Sequence, residues 1–71
     1  MYKNEIREFI ENSTEAVSVN EVISYLMPSD SIKNERSRDV YMRIICRDID
    51  SLVDSELVSY FMVGSIEYLE I

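Results

Sequence analysis

Residues 45–71 read ICRDIDSLVDSELVSYFMVGSIEYLEI, and the change of period inside this stretch decides the fold. Up to Leu52 the apolar residues Ile45, Ile49 and Leu52 recur at three- and four-residue steps, which places them on one face of an α-helix. Beyond it, two β-rich runs, 57–63 and 66–71, flank Gly64-Ser65. That pair suits a two-residue hairpin turn with glycine at the first central position, where φ must be positive. A long helix therefore runs almost directly into a closing hairpin. Followed backwards, the helical pattern takes in Tyr41 and Ile44 and predicts a helix over about 37–55.

Upstream, Tyr2, Ile6, Phe9 and Ile10 recur at helical spacing and predict a first helix over 3–12, ended by Asn12-Ser13-Thr14. The sharpest local signal is Ser18-Val19-Asn20-Glu21, a capping box, with Val17 and Val22 placed as a hydrophobic staple. A second helix starts there at Val19, carries Val22, Ile23 and Leu26 inward, and stops near Met27 because Pro28 lacks a backbone donor. Residues 16–19 are expected to pair briefly as a strand before that cap, and 28–34, PSDSIKN, read as turn-forming.

Three pieces of this pattern carry a resemblance. Ile45-x-Arg47-x-Ile49-x-x-Leu52, followed after four residues by Leu57-Val58, resembles the recognition-helix signature of winged-helix regulators. The run from Val17 to Ile23 resembles the start of their second helix, and Tyr68-x-x-Ile71 their closing strand. The resemblance covers essentially the whole chain, mostly through apolar spacing. It implies an α+β fold, a winged helix-turn-helix with three helices and a C-terminal β-hairpin, as one domain over 1–71. Two departures stand out. Glu56 occupies the position before the Leu-Val pair where the pattern usually has glycine, and the linker between the second and long helices exceeds a tight three- or four-residue turn.

Composition narrows the chemistry. Cys46 is the single cysteine of 71 residues and histidine is absent, which excludes an intrachain disulfide and a zinc-finger ligand set. One glycine cannot build a phosphate-cradling loop, and no histidine is present to activate the Cys46 thiol. Asp48, Asp50, Asp54 and Glu56 lack the spacing of a calcium loop and read as solvated surface, with an acidic face that meets a basic partner protein as the functional alternative. The expectation is a non-enzyme without cofactor or metal. The longest apolar run is the four residues from Tyr60 to Val63, so neither a membrane span nor a signal peptide is read, and a cytoplasmic protein is expected.

The formal net charge of −7 is unevenly distributed. Lys33, Arg36, Arg38, Arg43 and Arg47 are five of the seven cations and share fifteen positions with only Glu35 and Asp39, a local +3; residues 1–32 carry −4 and residues 48–71 carry −6. At 100° per residue Arg36, Arg43 and Arg47 fall within about 40° of one another, opposite the Tyr41/Ile45/Leu52 stripe. The resemblance implies that this line enters the major groove of double-stranded DNA. Arg43 and Arg47 would then contact bases or phosphates, Lys33, Arg36 and Arg38 would hold phosphates, and the protein would be a dimeric transcriptional regulator. The competing reading is a solvated face laced by Asp39–Arg43 and Arg47–Asp50 pairs.

The same architecture hosts protein-binding modules, and the hairpin supports that alternative because it carries no Lys or Arg. With Gly64-Ser65 as the turn, Val63 faces Ile66 and Phe61 faces Tyr68 on one side, while Tyr60 faces Leu69 and Val58 faces Ile71 on the other. The Val58/Tyr60/Leu69/Ile71 side is expected to cover the core. Phe61, Val63, Ile66 and Tyr68 are then left as a surface for a second copy or for another protein, in a regulatory or phage-type inhibitor.

Overall fold

The computed structural model describes residues 2–71. Four helices and a three-stranded antiparallel sheet follow in the order α1 (Lys3–Glu11), β1 (Val17–Ser18), α2 (Val19–Leu26), α3 (Ser29–Ile32), α4 (Glu35–Asp54), β2 (Ser59–Val63) and β3 (Ile66–Glu70). The strands lie side by side as β1-β3-β2, so the short first strand joins the closing hairpin on its β3 side. Val17 opposes Leu69 and Ser18 opposes Tyr68.

The capping residues set the helix starts. The Glu21 amide donates to Ser18 Oγ at 3.0 Å. Val17 and Val22, the two halves of the staple, are both buried. Only this half of the box forms, since the Glu21 carboxylate makes no bond to the Ser18 amide. The long helix starts earlier than the expected Ser37: Asn34 Oδ1 accepts from the Ser37 amide at 3.1 Å, and helical backbone begins at Glu35. The segment read as a turn holds one helical turn, α3, which makes four helices rather than three. Buried Ser31 closes that corner, its Oγ lying 2.9 Å from Ser37 Oγ.

The long helix ends on a residue that pays for its conformation. Glu56 has φ 63°, in the left-handed region. Its amide donates to the Val53 carbonyl at 3.0 Å and the Leu57 amide to the Leu52 carbonyl at 3.1 Å, the paired bonds of a Schellman cap. A glutamate thus performs the turn that glycine performs without a steric penalty.

One core joins all layers. Ile6 and Ile10 of α1, Val17, Val22, Ile45, Ile49 and Leu52 of α4, Val58 and Leu69 are buried together. The hairpin register is as read: Val63 opposes Ile66, Phe61 opposes Tyr68 and Tyr60 opposes Leu69. Gly64 has φ 63° and Ser65 does not share the positive sign, which fits glycine at the first central position. Burial departs from expectation. Val58 and Leu69 do enter the core, but Tyr60 is 44% and Ile71 59% exposed. The reason is position in the sheet: α1 and α2 pack on the central strand β3, whereas Tyr60 lies on the edge strand and Ile71 beyond the end of β3. On the opposite face Val63 and Ile66 are exposed as expected, while Phe61 and Tyr68 half-bury each other as stacked rings 5.5 Å apart.

Candidate nucleic-acid interface

The five cations of residues 33–47 are all exposed, and among the described residues none of them forms an ion pair. The pairs Asp39–Arg43 and Arg47–Asp50, expected on the solvated-face reading, are not made. The one ion pair between described residues is Arg7 with Glu11, on α1. The Arg36, Arg43 and Arg47 guanidiniums of α4 are therefore free to meet an anion without first breaking an ion pair to a described residue.

Helical geometry divides them into two groups. Arg36, Arg43 and Arg47 share the solvent-facing line of α4, about 16 Å long at 1.5 Å rise per residue. Glu35, Arg36, Asp39, Val40 and Arg43 border one shallow, open hollow there, and Val40 is an exposed apolar residue between the arginines that the charge-based reading passed over. Lys33 and Arg38 sit instead at the α3–α4 corner, where Arg38 Nη1 donates to the Ile32 carbonyl at 3.4 Å. The Ser31–Ser37 and Asn34–Ser37 bonds brace this corner. The N-cap pattern Asn34-x-x-Ser37 was the signal that could have found it. Further along, Asp50 and Asp54 continue the same line, so its cationic part is confined to the first two-thirds of the helix.

Asp48 corrects the solvated reading of the acidic cluster. It is only 6% exposed, and its Oδ2 accepts from the Tyr2 amide at 2.6 Å, which fastens the start of the chain to the middle of α4. Burial works against its charge; the Tyr2 N–H and neighbouring positive charge, Lys3 included, prevail and hold its carboxyl below its ordinary value. The wheel position of residue 48, about 40° from Leu52 at the edge of the core side, was the available signal.

Between α4 and the hairpin lies a second polar group of residues. The Tyr60 hydroxyl donates to Glu67 Oε2 at 2.9 Å, and that bond, with burial and the Glu67 and Asp50 charges, raises the phenol above its ordinary value. Cys46 is half-buried nearby, its thiol pushed up by burial first and then by Asp50 and Glu67. A raised thiol beside carboxylates is a poor nucleophile. Among the described residues no three Cys, Asp or Glu side chains gather as a metal-ligand set, and no helix is long and apolar enough to cross a membrane.

Comparison with protein-family models, curated proteins and solved structures finds no match to this chain.

Proposed function

We propose that the chain is a small winged-helix DNA-binding protein, a transcriptional regulator in which α4 lies in the major groove. The observation that carries the reading is the line of exposed arginines, Arg36, Arg43 and Arg47, with no ion pair to any described residue. The element order and the β1-β3-β2 sheet support the winged-helix assignment. In this arrangement Arg43 and Arg47 contact base edges or phosphates, and Lys33, Arg36 and Arg38 hold phosphates on either side. Asp50 and Asp54 repel phosphate, so the N-terminal part of α4 is the part that enters.

The net charge of −7 makes binding weak and salt-sensitive. The test is a mobility-shift assay over genomic fragments of the source organism at low and moderate salt. Neutralising three phosphates gives a slope of log K against log salt of about −3, and each change among Lys33→Ala, Arg36→Ala and Arg38→Ala lowers its magnitude by about 1. Arg43→Ala with Arg47→Ala removes the shift. No binding by the wild type at any salt overturns the reading.

A protein-binding module is the second reading, favoured by one observation. The hairpin carries no cation, and Val63 and Ile66 at its tip are 60% and 48% exposed beside the half-buried Phe61 and Tyr68. Under this reading a partner protein is lost on Val63→Asp or Ile66→Asp, while the arginine changes have no effect on it.

A further inference from the structure

We propose that β2 is an assembly edge, on which a second copy of this chain adds its own β2 antiparallel across a two-fold axis at Phe61. The inference is independent of what α4 binds.

β2 is the outer strand of the sheet, and its far side meets no strand among the described residues. Edge strands are normally protected from pairing by charged residues, proline or a bulge. Ser59–Val63, SYFMV, has no charged residue and no proline, and its pairing with β3 runs unbroken from Ser59↔Glu70 to Val63↔Ile66, so it has no bulge. The self-complementary strand argues for a second copy as occupant: two chains of −7 repel each other overall, but SYFMV brings no charge to the contact from either side. The nearest carboxylate on that face, Glu67, is held back on its own hairpin by the Tyr60 hydroxyl.

The backbone phase fits a symmetric pairing. Val63 and Ile66 close a two-residue turn, so they form a hydrogen-bonded pair, as do Phe61 with Tyr68 and Ser59 with Glu70. Tyr60 and Met62, at the alternate positions, therefore turn their N–H and C=O groups outward. An axis at Phe61 sets Tyr60 of one copy opposite Met62 of the other, twice, which makes four backbone hydrogen bonds. Side chains match in the same register. The two Phe61 rings meet on one face and extend the Phe61–Tyr68 stack across the axis; on the other, the exposed Met62 thioether meets an exposed Tyr60 ring. The contact is at the small end of interface sizes, under about 1,200 Å² in total, so association depends on concentration.

Sedimentation equilibrium of the full chain from micromolar to millimolar concentration tests this. The wild type is expected to self-associate. Met62→Pro removes two of the four bonds without touching the β2–β3 ladder, and weakens association about tenfold to a hundredfold. Met62→Lys, at a side chain 54% exposed, blocks the edge by charge and serves if the proline variant loses its circular dichroism spectrum. In a Cys46→Ser background, Phe61→Cys forms an intermolecular disulfide under mild oxidation and Val63→Cys does not. A wild type that stays monomeric throughout overturns the proposal. So does association unchanged by Met62→Lys, or crosslinking at 63 in preference to 61.

Discussion

Replacing Glu56 with glycine is expected to stabilise this protein, although the change removes a side chain and adds no contact. Glu56 holds φ 63° at the end of α4, and the two Schellman bonds, Glu56 to Val53 and Leu57 to Leu52, require a residue in that conformation. An L-residue with a Cβ pays about 1–2 kcal/mol to stay there. Glycine pays nothing, but it loses more backbone freedom on folding, which returns about 0.5–1 kcal/mol. The carboxylate is also misplaced, since the last turn of a helix exposes carbonyl oxygens and the negative end of its dipole; at an exposed site that costs about 0.3–1 kcal/mol at low salt. The balance is a gain of roughly 1 kcal/mol.

For a chain of this length 1 kcal/mol is about 4–8 °C in Tm. Thermal unfolding followed by circular dichroism measures it, with Glu56→Gln as the control that removes charge and keeps the strained φ. Gly should exceed Gln at every ionic strength, and the Gln gain should shrink as salt rises. If Gly and Gln stabilise equally, the conformational penalty is absent and only the charge matters. If Gly destabilises, the cap reasoning is wrong.

Two other expectations follow from the titratable groups. Asp48 has a folded-state pKa below its ordinary value, so its contribution is present above the unfolded carboxylate range near pH 4 and is lost as pH falls through the folded value; Asp48→Asn should flatten the decline of denaturant midpoint with acid below about pH 4 and lower stability at neutral pH. An Asn variant with the wild-type acid profile would remove Asp48 from that role. Cys46 should alkylate at pH 7–8 more slowly than a free cysteine, and faster on addition of salt or in urea, because burial and the Asp50 and Glu67 charges raise its thiol. A rate equal to that of a model thiol in native buffer would contradict this.

The elements that local chemistry determines were legible in the sequence. The Gly64-Ser65 turn, the Ser18 cap and the pairing register each depend on residues adjacent in the chain, and each appears where the pattern put it. The depth of burial was not legible in the same way. Tyr60 and Leu69 share one face of the sheet, yet one is 44% exposed and the other fully buried, because strand order decides which of them has helices beneath it. A two-residue strand, Val17–Ser18, settles that order by joining β3 rather than β2. Asp48 escaped for a related reason: its charge pointed to solvent, and only the arrival of the Tyr2 amide from the other end of the chain makes a buried carboxylate affordable.

The charge of the candidate site was legible as a sequence segment but not as a surface. Five cations within fifteen residues suggested one basic patch, whereas α4 separates Arg36, Arg43 and Arg47 from the Lys33 and Arg38 corner and then lays Asp50 and Asp54 along the arginine line. That polarity makes a stronger demand on the DNA reading than the local +3 did. A duplex has to engage the helix from its N-terminal end, braced by the Asn34 cap, and stop short of Asp50. Reversing the sign at that boundary, with Asp50→Lys, should tighten non-specific DNA binding and steepen its salt slope by about 1. A slope that does not change once Asp50 no longer repels phosphate would mean that the arginine line faces something other than DNA.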